Sequence, residues 1–277
     1  MRRRDILRTT VAAGLWIAVR PARADAPRLV DEHWLLSGTR PGDDIDHAPW
    51  DMWLGRYAVL GDDGIVRLPY GDVSDADRRL LAAYIDGLAG LEITALSRQD
   101  QLVAWLNLYN ALTVDLILGA YPVDSIRDIT DGLFSFGPWD RDLVEVEGRA
   151  LSLDAIEHGI LRPIWRDPRI HYAVNCASIG CPNLGMTAYR GETIEHALNA
   201  AARVYVNHPR GVSFNAAGRL VVSSIYVWFE EDFGGDDAGV VAHLVSHADP
   251  ALKARLASAT EIAGNRYDWS LNDATVR

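Results

Sequence analysis

The sequence predicts an α+β protein, a mostly helical single domain with a small antiparallel sheet. Apolar residues recur with helical spacing in several stretches, and the strongest of these covers residues 98–119. Strand-like runs are short and scattered, and the clearest of them form a hairpin over residues 212–222. No internal repeat or long linker divides the chain after residue 24. Residues 25–277 are therefore predicted to form one domain.

The first 24 residues have the three parts of an export signal. Arginines at positions 2–4 form a charged head, an apolar run covers 11–19, and residues 22–24 give a small-residue cleavage site. The apolar run is shorter than the roughly 20 residues that span a bilayer. Residues 3–8 further resemble the twin-arginine export signal, with an ordinary secretory leader as the alternative. We expect an exported bacterial protein, periplasmic or secreted.

Net charge limits the partners. The chain has 27 basic and 38 acidic side chains and a formal net charge of −11. Six arginines and one aspartate lie in the leader, so its removal would lower the net charge to −16. This charge disfavours nucleic acid and anionic membrane surfaces as partners. We expect no membrane span after signal removal, and we expect an unknown small-molecule or peptide substrate.

Residues 25–73 look irregular, because proline and glycine interrupt every candidate element. The first clear helix is predicted to begin after a Ser74 cap and to end near Gly90. Four large aromatic side chains nevertheless predict that residues 25–73 form an arm packed against the body. They are Trp34, Trp50, Trp53 and Tyr57.

The helix predicted over residues 98–119 is apolar around nearly its whole circumference, which is typical of a central, buried helix. Asn107 and Asn110 fall among its apolar residues. Both amides need hydrogen-bond partners, because an unsatisfied buried polar group costs about 1–3 kcal/mol. We favour a role in holding a neighbouring loop. The alternative is that one of them orients a catalytic histidine.

Another helix is predicted from a Ser152 cap through Leu161. Its apolar face includes Glu157, whereas His158 falls on the opposite face and is expected to be solvated. An ionised carboxylate buried without a partner is very unfavourable, so Glu157 should meet a cation, an imidazole or several backbone N–H groups. A structural salt bridge is the alternative to a catalytic role.

The most reactive side chains lie in one stretch, residues 170–185. Both cysteines of the chain, Cys176 and Cys181, are here, and His171 precedes the first by five residues. Residues 170–174 are predicted to form a short strand that leads into a loop rich in glycine and proline. Reactive groups at the end of a rigid element are typical of a functional site.

A thiol hydrolase or acyl transferase is the first function that fits these residues. Cys176 would be the nucleophile, His171 its base and Glu157 the residue that orients the base. An extended chain would separate His171 from Cys176 by roughly 16 Å, at about 3.3 Å per residue. The pairing therefore needs a bend. Otherwise Cys181 is the better thiol for His171, or another histidine must serve.

Two other functions remain open. A metal site could use His171, Cys176, Cys181 and Glu157, but a C-x4-C spacing without a second pair is a weak signal, so we expect no metal and no cofactor. A non-catalytic binding or interaction module with a Cys176–Cys181 disulfide also fits an exported protein. The signatures G-x-S-x-G, G-x-x-x-x-G-K-[ST] and H-E-x-x-H are absent from the sequence.

Several short segments of the sequence together resemble the pattern of a known protein family. They lie at residues 105–111, 121–122, 151–153, 156–158, 161–162, 171–173 and 176–182, and more loosely at 228–233 and 267–272. Together they resemble the DUF547 domain, a family named for its unknown function. The resemblance implies a core of about residues 95–210, preceded by the N-terminal arm and followed by a C-terminal helical extension.

The resemblance supplies no established activity. It is compatible with a papain-like or transglutaminase-like thiol fold, and Cys181 looks less essential to the family pattern than Cys176. We therefore name two groups of candidate site residues. The catalytic candidates are Cys176, His171 and Glu157. The binding candidates are Asn107, Asn110, Ser178 and Cys181.

Overall fold

Helices surround a single central helix in this protein. The computed structural model describes residues 31–130 and 137–274. Its α-helices are α1 (Ala48–Tyr57), α2 (Asp75–Ala89), α3 (Arg98–Ala120), α4 (Leu153–Ile156), α5 (Arg162–Trp165), α6 (Ile170–Ala173), α7 (Ile194–Val206), α8 (Ile225–Trp228), α9 (Asp237–His247) and α10 (Pro250–Leu256). Short 3₁₀ turns lie at Glu32–Leu35, Tyr70–Asp72, Ile93–Ala95, Ile126–Asp128, Gly191–Thr193 and Glu230–Phe233.

Helix α3 is the central element, which confirms the prediction. Every side chain from position 101 to position 114 is buried, so this part of the helix has no solvent face. The Ser97 side chain caps the first turn by accepting a hydrogen bond from the Asp100 amide. Helix α2 also follows its prediction, from the Ser74 cap to Gly90.

Helix α3 has the length and apolar composition of a membrane span. Our expectation of no membrane span after signal removal is not tested by length and composition alone, and it stays a prediction. However, 83% of its most apolar window is buried inside the protein. This burial is the property of a core helix, because the neighbouring elements cover the apolar surface that a span would offer to lipid.

The strands of the described residues form three small sheets. Strand β1 (Val59–Leu60) pairs antiparallel with β2 (Val66–Arg67), and β3 (Val144–Val146) pairs antiparallel with β4 (Arg149–Leu151). The predicted hairpin consists of β5 (Val212–Phe214) and β6 (Leu220–Ser223), with Ser213 opposite Val221. A parallel strand that we did not predict, β7 (Gly264–Arg266), joins β6. Its sequence, Gly-Asn-Arg, has no apolar alternation to reveal it.

The N-terminal arm contains a helix, α1, that we did not predict. Pro49 lies in its first turn, where a missing N–H costs no hydrogen bond, and Gly55 is exposed. These two residues therefore do not interrupt the element. The packing of the arm is confirmed, because its four aromatic side chains are buried. The export signal predicted for residues 1–24 lies outside the described residues and stays a prediction.

Helix α6 replaces the strand that we predicted for residues 170–174. All four of its residues are buried. Alternation of apolar and polar residues identifies a strand only where one face is exposed, so it carried no information here. Only Val174, which follows the helical turn, has an extended backbone. The extended-chain separation between His171 and Cys176 therefore does not apply.

Two apolar clusters form the core, and α6 belongs to both. Ile170 and Ala173 pack in the larger cluster, which is built around α1, α2, α3 and α4. Tyr172 packs in the smaller cluster, together with α7, α9 and the β5–β6 hairpin. His171 therefore lies at the junction of the two clusters.

Candidate functional site

A cavity of about 180 Å³ lies at this junction. Its lining includes the three catalytic candidates, Glu157, His171 and Cys176, together with Cys181. Helix α6 and the loop after it carry His171 and the two cysteines, and Glu157 comes from the turn that follows α4. Aromatic rings form much of the remaining wall, and they come from Tyr109, Trp139, Trp228, Phe229, Tyr267 and Trp269.

The surroundings of Cys176 favour its thiolate form. Its Sγ is hydrogen-bonded to Ser178 Oγ at 3.0 Å and to the Tyr267 hydroxyl at 3.0 Å. The hydrogen bond from the Cys181 thiol, followed by those from Ser178 and Tyr267, lowers the pKa of Cys176, although burial opposes this shift. Burial raises the pKa of Tyr267, so its hydroxyl keeps the proton that it donates to the sulfur. The arrangement favours the nucleophilic thiolate.

Cys181 has the opposite character. It is 4% exposed, and burial, reinforced by the neighbouring Cys176, raises its thiol pKa well above the ordinary value. The Cys176 amide donates to Cys181 Sγ at 3.1 Å. Both cysteines are free thiols. The disulfide expected in the non-catalytic alternative is therefore absent from the structure.

His171 lies between two carboxylates and is 3% exposed. Its Nε2 is 2.6 Å from Asp232 Oδ2, and its Nδ1 is 3.7 Å from Glu157 Oε1. The imidazole also stacks on Phe229, with 4.4 Å between ring centroids. Within residues 31–130 and 137–274, no hydrogen bond joins His171 to Cys176. The two side chains line the same cavity.

Glu157 is buried, as we predicted from its place on the apolar face of the helix. Its Oε2 accepts a hydrogen bond from the Tyr109 hydroxyl at 2.9 Å, and its other oxygen faces the His171 imidazole. We expected a cation, an imidazole or several backbone N–H groups beside this carboxylate, and of these the imidazole is the one that lies near it. The hydrogen bond from Tyr109 was not predicted. Burial raises the pKa of Tyr109 well above its ordinary value, so the tyrosine remains a donor to the carboxylate.

Asp232 binds His171, and Arg162 in turn binds Asp232. We predicted neither residue from the sequence. Arg162 Nε donates to Asp232 Oδ2 at 2.6 Å, and its guanidinium lies 4.6 Å from the Phe229 ring centroid. Burial alone would raise the pKa of Asp232, but the hydrogen bonds from His171 and Arg162 lower it to about 2. The sequence signal was weak, because an acidic run such as residues 230–232 is usually solvated.

His158 lines the cavity, although we expected a solvated residue. It belongs to a π-helical turn, Glu157–Leu161, that joins α4 to α5. A π turn holds more residues than the α-helical wheel assumes, and such turns are frequent at functional sites. The His158 Nδ1 accepts a hydrogen bond from Arg162 Nη1 at 3.1 Å, because a guanidinium can only donate. An acceptor at Nδ1 leaves Nε2 to carry the proton of the neutral ring.

Asn107 and Asn110 hold neighbouring loops, which is the role that we favoured. Asn110 donates to the Ala173 carbonyl at 2.8 Å and accepts from the Asn175 amide at 2.9 Å. Asn107 makes the same pair of bonds to the backbone of Tyr189, at 3.0 and 2.9 Å. Both amides are buried and occupied by backbone, so in this structure they position the loops rather than face the cavity.

We predict that Asn110→Ala destabilises the protein by about 2–4 kcal/mol, because it leaves two buried backbone groups without their hydrogen bonds. Urea unfolding of the variant measures this loss. Asn199→Ala is the matched control, because the Asn199 amide lies on an exposed helix surface and bonds only within its own helix. A variant Asn110→Ala as stable as the control would contradict the positioning role.

The described residues contain no group of three or more His, Cys, Asp or Glu side chains that could hold a metal ion. Cys176, Cys181 and His171 have the residue types of ligands. Cys176 Sγ is instead hydrogen-bonded to Ser178 and Tyr267, and His171 Nε2 is bonded to Asp232. Cys181 Sγ accepts from the Cys176 amide.

Comparisons with known proteins give one result. Residues 93–206 match a family model described as "Protein of unknown function, DUF547". Searches of the curated proteins and of the solved structures find no match. The matched region contains Glu157, His171 and Cys176, whereas Asp232 and Tyr267 lie beyond it. The match supports, over residues 93–206, the resemblance that the sequence segments predicted.

Proposed function

We propose that this protein is an exported cysteine-dependent hydrolase or acyl transferase with Cys176 as its nucleophile. One observation above all supports this proposal. The Cys176 sulfur faces an aromatic-walled cavity and is hydrogen-bonded to Ser178 and Tyr267, which favour its thiolate form. A thiolate at the edge of an enclosed space can attack an acyl group that enters it.

The reaction would proceed in two steps. The Cys176 thiolate attacks the carbonyl carbon of the substrate, a thioester forms, and the leaving group departs with a proton. Water or another acceptor then cleaves the thioester. His171 is the proposed proton donor, oriented by Asp232 at 2.6 Å and by Glu157. Catalytic hydrogen bonds are often long or unformed before substrate binds, so the lack of a direct His171–Cys176 bond is compatible with this role.

The wall of the cavity indicates the kind of substrate. Trp228 and Trp269 stack with 5.5 Å between ring centroids, and Tyr267 lies 4.6 Å from Trp269. Aromatic surfaces of this kind bind apolar or flat groups. We therefore propose a small-molecule or peptide substrate that presents such a group beside the reacting carbonyl.

The direct test is the acyl intermediate. The full chain is mixed with small panels of aryl esters, thioesters and peptide amides, quenched in acid and digested with trypsin. Cys176 lies in the tryptic peptide 170–190. We expect an acyl mass on this peptide for at least one panel and none after the change Cys176→Ala. No adduct in any panel, with intact protein, would contradict the proposal.

Tyr267→Phe should raise the pKa of Cys176, because it removes one of the bonds that favour the thiolate. A hydrogen bond to a charged group is worth roughly 1.5–3 kcal/mol, so the rise in the pKa of Cys176 should be large enough to measure. The rate of Cys176 alkylation by iodoacetamide as a function of pH measures it. Tyr226→Phe is the control, since that buried hydroxyl contacts Tyr172 rather than the sulfur. Equal profiles for the two variants would refute the assignment.

A non-catalytic binding module is the second candidate, and the aromatic wall also supports it. This function predicts that apolar ligands quench tryptophan fluorescence of the protein without being cleaved. The acyl adduct distinguishes the two functions, because a binding module forms none.

Export rests on the sequence of residues 1–24. Expression of the full chain in bacteria should yield a protein whose N-terminus lies near residue 25 in the periplasmic fraction or medium. Full-length protein confined to the cytoplasm would contradict export.

A further inference from the structure

The two thiols form an unequal pair at one end of the cavity. Cys176 is partly exposed, whereas Cys181 is buried beside it. The Cys176 amide donates to Cys181 Sγ at 3.1 Å, so the second sulfur lies against the backbone of the first cysteine. Cys176 is therefore the more accessible of the two thiols to an electrophile in the cavity, and Cys181 lies beside it.

The loop between the two cysteines is held in place from both sides. The Asn175 side chain donates to the Pro182 carbonyl at 2.7 Å and accepts from the Ala177 amide at 2.8 Å, so it spans the loop. The Gly180 amide donates to the Asp268 carbonyl at 2.8 Å. A Cβ at Gly180 would lie 2.7 Å from the Asp268 backbone nitrogen, so only glycine allows this approach. These contacts keep the two sulfurs together.

We propose that Cys176 is an oxidation site for small hydroperoxides and that Cys181 resolves the product as an intramolecular disulfide. In the first step the Cys176 thiolate attacks the peroxide, the S–O bond forms, the O–O bond breaks, and hydroxide or alkoxide leaves. In the second step Cys181 attacks the Cys176 sulfenic acid, the S–S bond forms, and water leaves with the Cys181 proton. Two thiols are oxidised and one peroxide is reduced.

The contacts of each sulfur fit its part in this sequence. Ser178 and Tyr267 favour the thiolate of Cys176, the form that attacks a peroxide. The raised pKa of Cys181 keeps that thiol protonated until the sulfenic acid forms beside it. A cavity of about 180 Å³ admits a small peroxide, and Cys181, which lines the same cavity, is only 4% exposed. An external thiol would restore the two cysteines and become a disulfide itself.

The proposal is independent of the hydrolase function. If Cys176 is also the nucleophile of a hydrolase, the disulfide would switch that activity off reversibly. Oxidation of the two thiols can be measured without a hydrolase substrate. Failure of the oxidation test therefore does not contradict the hydrolase function, and failure of the acyl-adduct test does not contradict the oxidation.

The test uses the full chain, first reduced and then treated with hydrogen peroxide under native conditions. Remaining thiols are alkylated after denaturation, and the tryptic peptide 170–190 is weighed, because it contains both cysteines. We expect both alkylation sites to be lost together and to return fully with dithiothreitol. Met186 lies in the same peptide and is exposed, so an added oxygen alone does not count as cysteine oxidation.

Cys181→Ala separates resolution from simple oxidation. In this variant the Cys176 sulfenic acid should persist, react with dimedone, and proceed to sulfinic acid that dithiothreitol does not reverse. Cys176→Ala should leave Cys181 alkylatable after the same treatment. Wild-type protein that retains both thiols, or that forms sulfinic acid on Cys176 with Cys181 still free, would overturn the proposal. The wild-type measurement decides it even where a variant fails to fold.

Discussion

Cys176→Ala is expected to abolish cleavage of any ester, thioester or amide that the protein turns over. Removal of a nucleophile typically lowers kcat by about four to six orders of magnitude, to the background left by binding alone. The fold should persist, because the substitution removes a single sulfur from the edge of a cavity. Initial rates for both proteins, together with circular dichroism, measure the two effects.

Ser213→Ala is the control for this experiment. Ser213 lies on β5 and bonds to the Val221 carbonyl, away from the cavity lining. This variant should keep full turnover. We also expect His171→Ala to lose turnover without loss of fold. Retained activity in both Cys176→Ala and His171→Ala would rule out the proposed catalytic roles.

Asp232→Asn is expected to have the second largest effect, and it acts on stability and on pH dependence together. The carboxylate joins Arg162 to His171, and breaking a partly buried ion pair of this kind costs about 3 kcal/mol. Its folded-state pKa is about 2, below the ordinary value of 3.8. The unfolded chain therefore binds the proton more readily, so this contribution is present above about pH 4 and is lost as the pH falls towards 2.

The difference between the folded-state and unfolded-state pKa of Asp232 corresponds to about 2 kcal/mol in the free energy of unfolding. Urea unfolding at neutral pH and near pH 3 should show that wild-type protein loses more free energy of unfolding on acidification than Asp232→Asn. Glu195→Gln is the control, because Glu195 forms an exposed pair with Arg169 that is worth about 1 kcal/mol or less. Parallel pH curves for wild type and Asp232→Asn would show that Asp232 carries no such role.

The sequence predicted those parts of the fold that depend on long, regular patterns. Helix α3 and the positions of Asn107 and Asn110 followed from periodicity over more than 20 residues. The burial of Glu157 followed from the same reasoning on a shorter helix. In each case a run of apolar neighbours specifies the face that a polar side chain must share, so a polar exception is visible before the structure is known.

Very short helical turns and contacts between distant parts of the chain could not be predicted in this way. A helical turn as short as α6 has too few residues to show a period, and the π turn at 157–161 changes the period itself, which moved His158 to the cavity. Asp232 and Tyr267 reach the cavity from distant parts of the chain. Contacts of that range depend on how the elements pack, and no local pattern encodes them.

Backbone hydrogen bonds join the C-terminal segment to the loop between Cys176 and Cys181. The amides of Ile179 and Gly180 donate to the carbonyls of Ser270 and Asp268, both at 2.8 Å. A fragment ending at residue 206 would keep Cys176 but would lose these backbone hydrogen bonds and the rings of Trp228 and Tyr267. We therefore expect that the residues matched by the family model do not form this cavity without the segment that follows them.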